Sequence, residues 1–159
     1  MRIATFGDVL LDVIVRLEQP LARGDDVRAA TATGAGGQAA NVAAWAAFLG
    51  AEARCISKRG NDAAGELVAR ELGERGVRLL GPVDHGATGV VVSVVDGGER
   101  SMASDRGVAP TFRPDELEGG WLDGCDVLHL SGYALLREPI LETALLAARL
   151  GRERGARWS

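Results

Sequence analysis

Lysine is almost missing from this chain: Lys58 is the one lysine among 159 residues, and aromatic side chains make up only 4% of the sequence. Positive charge therefore rests on scattered arginines, and the formal net charge is −4. A chain with no Lys/Arg cluster and an acidic balance is not built to track nucleic-acid phosphates. Cysteine is scarce as well. Cys55 and Cys125 stand far apart in apolar surroundings with no C-x-x-C spacing, which excludes a zinc or dithiol motif and fits two buried thiols in a reducing compartment. No apolar run approaches the roughly 20 residues of a membrane helix. Asp8 and Asp12 interrupt the only early apolar run, so no signal peptide is expected, and the expected location is the cytoplasm. Low-complexity tracts and internal repeats are also lacking.

What is present reads as alternating strands and helices. Arg2 to Phe6 is a short buried strand opening at Gly7-Asp8, and Asp12 to Leu17 is a second. Pro20 with Gly24-Asp25-Asp26 marks a loop, and Val27 to Thr33 is a weak, edge-like strand. Asn41 to Leu49 is apolar on nearly every face, which predicts a buried helix stopped by Gly50. Ala53 to Ser57 is a strand, and Asn61-Asp62 caps a helix with Ala64, Leu67, Val68 and Leu72 on one face. Glu66 with Arg70 and Glu71 with Arg75 are placed to pair on its other side. Thr88 to Val95, the turn Asp96-Gly97-Gly98 and Glu99 to Ala103 predict a hairpin. Pro114 to Leu117 reads as a short helix or turn, and Asp126 to Gly132 as a buried strand ending in a bend. Pro139 opens a last helix, with Ile140, Leu141, Ala144, Leu145 and Ala148 expected toward the core, and Arg157-Trp158-Ser159 begins another strand. The alternation predicts an α/β fold, a parallel sheet with helices on both faces. The hairpin and the strands at Asp12–Leu17 and Val27–Thr33 do not fit it, and are expected to form a small antiparallel lid beside the main layer.

The segment Gly34-Ala35-Gly36-Gly37-Gln38-Ala39-Ala40-Asn41 is the most informative. Glycines feeding a helix bare backbone N–H groups to a polar ligand, and Asn41 adds a carboxamide one turn in. Read alone, Gly34 to Ala39 satisfies the dinucleotide pattern G-x-G-x-x-A, and Lys58-Arg59 would suit a 2′-phosphate, so an NAD(P)-binding Rossmann oxidoreductase is one reading. Against it, Arg28 to Thr33 is too polar and small for a central parallel strand. The segment is not a Walker A loop, since no Gly-Lys-Ser/Thr follows.

Taken whole, the layout resembles the PfkB/ribokinase family of carbohydrate kinases. The residues that carry the resemblance are Gly36-Gly37-Gln38-Ala39-Ala40-Asn41 with Ala43, Leu49-Gly50-Ala51, and Gly60-Asn61-Asp62 with Gly65. Phe6-Gly7-Asp8 with Asp12, Asp96-Gly97-Gly98-Glu99-Arg100, and Leu130-Ser131-Gly132-Tyr133 add to it. The likeness covers essentially all of the chain as one N-terminal portion of a ribokinase-like domain, residues 1–159, with lid strands at about 12–33 and 88–104.

The resemblance implies an acceptor site. Asp12 would accept hydrogen bonds from sugar hydroxyls, and the Gly36–Gly37 backbone with Asn41 would hold others. Arg106, after the returning lid strand, is open to two readings: a contact to an acidic or phosphorylated acceptor, or a solvated surface arginine. His129 is expected as a hydrogen-bonded core histidine. Family members with a carboxylate or amide after the corresponding strand differ from this chain, which has Gly132-Tyr133 there. The resemblance also implies ATP and Mg²⁺ for an intact enzyme, bound by a C-terminal portion with a Gly-Ala-Gly-Asp catalytic motif. That motif does not occur here, so the base is expected beyond Ser159, with no catalytic residue, cofactor site or metal site in this chain and no strong ATP or Mg²⁺ binding by it alone. The expectation is an acceptor-binding half of an ATP-dependent sugar kinase, inactive by itself, with a small-molecule sugar as partner, no nucleic acid, no membrane, and pairing through the lid as a route to a homodimer. The alternative is a non-catalytic sugar-binding or lid-mediated dimerisation module. An uncovered sheet edge near Trp158 is expected to favour association of the isolated chain.

Overall fold

The computed structural model describes residues 1–24 and 26–159, so the loop expected at Asp25 falls partly outside the described residues. Among the described residues, eleven strands and three α-helices run in the order β1 (Arg2–Phe6), β2 (Leu10–Leu17), β3 (Ala29–Gly36), α1 (Gln38–Phe48), β4 (Glu52–Ile56), β5 (Arg59–Gly60), α2 (Ala63–Glu74), β6 (Val77–Leu80), β7 (Val83–Asp84), β8 (Thr88–Asp96), β9 (Glu99–Gly107), β10 (Val127–Leu130), α3 (Ile140–Glu153) and β11 (Arg157–Trp158). Four short 3₁₀ turns sit between β9 and α3. β11, β10, β1, β4 and β6 form a parallel sheet in that order, and β3, β2, β8 and β9 form a second sheet. The parallel sheet flanked by helices, with a smaller sheet beside it, is the architecture read from the sequence.

The second sheet adds one feature. Its outer pairs, β2 with β3 and β8 with β9, are antiparallel, but β2 and β8 meet in parallel, with Asp12 beside Val91 and Ile14 beside Ser93. The lid strands are also longer than expected, because β3 runs on through Gly34-Ala35-Gly36 and β9 runs to Gly107. Gly97 (φ 55°) and Gly98 (φ 92°) supply the positive dihedrals that the tight β8–β9 turn needs. β6, unforeseen in the sequence, completes the edge of the main sheet beside β4.

Two cores lie on opposite faces of the parallel sheet. Phe6, Phe112, Leu122, Leu128, Ile140 and Ala144 pack under α3, with the Phe6 and Phe112 rings stacked at 5.4 Å. Val9, Ala39, Ala40, Ala43, Cys55, Val68 and Leu72 pack under α1 and α2. Both cysteines are buried and free, and burial pushes the Cys55 thiol up to about 12, so it is inert at neutral pH.

Three expectations are corrected. α1 starts at Gln38 and is not buried all round: only alanines face the sheet, while Trp45 (65% exposed), Phe48 and Leu49 point outward. The sheet approaches α1 too closely for large side chains, so the small residues went inside. Leu145 likewise faces solvent, and Thr143 and Ala147 take its core position in α3. On α2, Glu71 pairs with Arg75 at 3.2 Å as expected, but Arg70 pairs with Glu74 rather than Glu66.

The Gly60-Asn61-Asp62…Gly65 segment proves to be the joint between helix and lid. Asp62 caps α2 through the Gly65 amide (2.8 Å), and its carboxylate also accepts from the Thr88 hydroxyl (2.6 Å) and amide (2.9 Å) at the start of β8. The Thr88 hydroxyl accepts in turn from the Gly60 amide at 2.9 Å. Glu71 adds a second tie, accepting from the Ala35 amide of β3 at 2.9 Å. Burial pushes the Asp62 carboxyl up, but the Thr88 and Gly65 hydrogen bonds outweigh it and hold it below its ordinary value of 3.8. Asp62→Ala is expected to cost about 2–4 kcal/mol, a lost cap plus an unsatisfied buried Thr88. Because the folded value is depressed, the stabilisation is present above pH 3.8 and is lost as pH falls through the folded value. Urea melts between pH 3 and 7 should therefore show the gap between wild type and D62A narrowing toward acid.

Candidate functional site

A hollow of about 380 Å³ opens between α1 and the lid. Its floor comes from β2 (Leu10, Asp12) and from the β3–α1 junction and first turns of α1 (Gly37, Gln38, Asn41, Val42, Trp45). Its roof is one face of β9. Strand residues of equal parity share a face, so Arg100, Met102, Ser104 and Arg106 all line it, on the same sheet face as Val91 of β8, which pairs with Ser104, and Asp12 of β2, which pairs with Val91. Asp8, from the β1–β2 connection, and Tyr133 close the sides.

Glycine is required at the junction by close approach. A Cβ at Gly37 would strike the Asp8 carbonyl, and its φ of 96° belongs to glycine. A Cβ at Gly36 would overlap the Asp12 carboxyl group. The glycine pair thus lets α1 begin directly beside β2 and leaves room for the Asp12 side chain. Gly36→Ala is expected to displace Asp12 and to cost about 1–3 kcal/mol through overpacking, checked by thermal melts alongside ligand titration.

Asp12 and Asn41 face the hollow with no hydrogen bond from any described residue to either side-chain head. Burial raises the Asp12 carboxyl above its ordinary value, and the Arg100 guanidinium pulls it partly back. The two groups are a ready acceptor and a ready donor–acceptor pair, directed at the same space. Gln38, by contrast, is committed, its Oε1 accepting from the Ser131 hydroxyl at 2.6 Å.

Arg106 is neither solvated nor free. Its Nε and Nη2 donate to the two oxygens of Asp8, both at 2.6 Å, and Nη2 also donates to the Tyr133 carbonyl at 3.1 Å. Asp8 is 3% exposed, so this bidentate pair is a buried strap from the lid's base to the main sheet. Four of the five expected site residues, Asp12, Gly37, Asn41 and Arg106, therefore line one hollow, while Gly36 lies behind Asp12. Asp8, Trp45, Arg100, Met102, Ser104 and Tyr133 were not assigned to the site from sequence. The alternation Arg100, Met102, Ser104, Arg106 was the available signal, hidden by ending the strand at Ala103. His129 is only partly buried in β10, with Nδ1 3.2 Å from the Ser159 hydroxyl and no partner at Nε2 among the described residues.

A dinucleotide does not fit the glycines. They end β3, an edge strand of the lid paired antiparallel to β2, not a central parallel strand. A pyrophosphate there would meet the Asp12 carboxylate.

The model of the pfkB family of carbohydrate kinases matches residues 1–156. This chain belongs to that family. It is 34% identical over 160 residues to an ATP-dependent ribose-1-phosphate kinase from Halopiger xanaduensis, covering 98% of this chain and 52% of that protein. It is 31% identical over 163 residues to a fructokinase from Solanum tuberosum, covering 97% and 49%. A fructokinase from Xylella fastidiosa has the same fold over 99% of this chain and 51% of its own, with a TM-score of 0.82 and 24% identity; that protein has also been solved with bound ATP. The chain spans about half the length of the curated pfkB relatives it matches. Among the described residues no helix is long and apolar enough to cross a membrane.

Proposed function

We propose that the hollow between α1 and the lid is the acceptor site of a sugar kinase, and that this chain supplies the acceptor-binding half of the activity. The observation that carries it is the convergence of two uncommitted polar heads, Asp12 and Asn41, with the Gly37 backbone in one hollow roofed by the lid. A carboxylate accepts from hydroxyls, a carboxamide both donates and accepts, and glycine admits a ring close to the main chain. Those are the demands of a polyol. The Halopiger and Solanum relatives act, by name, on ribose 1-phosphate and fructose, which supports a sugar acceptor here.

ATP with Mg²⁺ is the donor system the family implies. The residues facing this hollow do not fit it: Asp8 is taken up by Arg106, and a triphosphate at the glycines would face the Asp12 carboxylate. No transfer step is therefore assigned to side chains of this chain. Phosphoryl transfer depends on positioning and electrostatic stabilisation of the moving group. A chain offering only the acceptor platform is expected to bind sugar and to give no ATP-dependent phosphorylation. Incubating purified 1–159 with ATP, Mg²⁺ and a sugar panel, and following ADP release, checks this; turnover comparable with a complete kinase would overturn the division of labour.

The non-catalytic reading keeps the same hollow and puts the weight on the lid. Half-buried Val13, Val15, Val90, Val92 and Val94 line its outer face, and a second copy pairing there would make a homodimer. Size-exclusion chromatography with and without sugar separates the two readings, since only a dimerisation module should assemble in proportion to lid contacts regardless of acceptor.

A further inference from the structure

One buried group beside the hollow has no role in an acceptor site that holds only hydroxyls. Ser93 interrupts the valine run Val90-Val91-Val92 and Val94-Val95 in β8, and it is 1% exposed. A buried hydroxyl in an apolar strand is costly unless it is used. Its hydroxyl accepts from Arg100 Nε at 3.2 Å and from Arg100 Nη2 at 2.9 Å. The Arg100 backbone stands opposite Val95, near the lid's tip, while its guanidinium reaches back two residues along β8 to Ser93. That brings the cation to the level of Ile14, about 7 Å along the strand from Asp12.

Arg100 differs from Arg106 in what neutralises it. Arg106 is matched by both oxygens of Asp8. Arg100 has no carboxylate within ion-pair distance among the described residues, and its Nη1 group is uncommitted. Asp12, the carboxylate that shares the hollow, draws on Arg100 from a distance without pairing with it, so a lid closing over a ligand would strip water from a cation whose free edge meets no acceptor unless the ligand brings one. A guanidinium fork held from one edge presents its other edge to a planar carboxylate or a phosphate.

Resting on the acceptor-site reading, we infer that the acceptor is an anionic sugar, carrying a phosphate or carboxylate that meets Arg100, and that Ser93 is the residue positioning Arg100 for it. Hydroxyls at one end go to Asp12 and Asn41, and the charged substituent lies one pleat further out beneath β9.

The test is calorimetric titration of the 1–159 chain with matched pairs: ribose against its 1- and 5-phosphates, fructose against its 1- and 6-phosphates, and glucose against gluconate, with inorganic phosphate and ATP as separate arms. The readout is the ratio of charged to neutral affinity. At least one charged member is expected to bind about tenfold or more tighter than its neutral partner. That ratio should fall to near one in R100Q and drop partway in S93A, with R100K retaining part of it. D12N should weaken both members of a pair and leave the ratio standing. Phosphate sugars and gluconate distinguish the two anions. Neutral sugars binding as well as charged ones would sink this inference and leave the acceptor site intact. Affinity for ATP or inorganic phosphate alone that vanishes in R100Q, without any charged-sugar preference, would overturn it too. Indifference of every ligand to D12N, or no binding at all, would overturn the acceptor reading and this inference with it. Far-UV circular dichroism and melting of each variant establish that the fold is retained.

Discussion

Asp12→Asn is expected to lower sugar affinity by about 10- to 100-fold, the worth of a hydrogen bond to a charged acceptor. The carboxylate is half-buried, receives no hydrogen bond from any described residue, and sits over a glycine that makes room for it. Asparagine keeps the shape but replaces one acceptor oxygen with a donor, so the pocket would present an amide where a sugar hydroxyl needs to donate. Stability should change little, because that head group accepts no hydrogen bond from any described residue and the pull of Arg100 only partly offsets the cost of its burial. The pH dependence follows from the same burial. With the Asp12 value raised, its proton returns at a higher pH than for an ordinary aspartate, and sugar affinity should fall on acidification through that raised value. D12N should lack this dependence. Titration of a sugar acceptor between pH 4 and 8 on both proteins measures both effects.

Lys58→Met has the largest expected effect on stability. The single lysine is 2% exposed, and its ammonium group reaches Glu116 at 2.8 Å and Asp84 at 2.9 Å. It ties the end of β4 to β7 and to the 3₁₀ turn at Pro114–Glu116. Removing one partner of a buried ion pair typically costs about 3–5 kcal/mol. The lower end is expected, since both carboxylates keep contact with water (Glu116 19% and Asp84 39% exposed). A loss of that size in a chain this long lowers Tm by roughly 6–12 °C. Burial alone would push the Lys58 value down, but the Glu116 and Asp84 hydrogen bonds outweigh it and leave it raised above 10.5. The stabilisation is therefore whole below pH 10.5 and is lost as pH rises through the folded value. Wild type should lose stability there more steeply than K58M, and calorimetric melts from pH 7 to 11 would detect the convergence.

Lys58 also marks where the sequence spoke and where it did not. Its rarity was visible in the composition, but its burial was not, because both partners come from segments 26 and 58 residues away. The alternation of strands and helices and the glycine-to-helix junction were legible, since both are local patterns of period, cap and turn. The parallel meeting of β2 and β8 was not, because pairing between residues 79 positions apart leaves no local trace once each strand reads as amphipathic. Helix α1 misled for a related reason. Its residues are apolar all round, and which side faces the sheet was decided by size rather than polarity, so Ala39, Ala43 and Ala46 went in and Trp45 went out to line the hollow.

At the site, Asp12, Gly37 and Asn41 were assigned through a family likeness and meet in one hollow. Arg106 was placed there as well, but its partner was not foreseen. A sequence separation of 98 between Asp8 and Arg106 hid a strap that only the folded lid brings together. In the sequence Arg100 belongs to a turn motif, and its direction is set by β8 beside it and by Ser93 gripping it.

The most direct test of the acceptor site is a crystal structure of the 1–159 chain soaked with a sugar that binds it in solution. The sugar is expected between α1 and β9, with hydroxyls on the Asp12 carboxylate and the Asn41 carboxamide and its ring against Gly37. A sugar ordered elsewhere on the molecule, with Asp12 and Asn41 touching only water, would contradict the account.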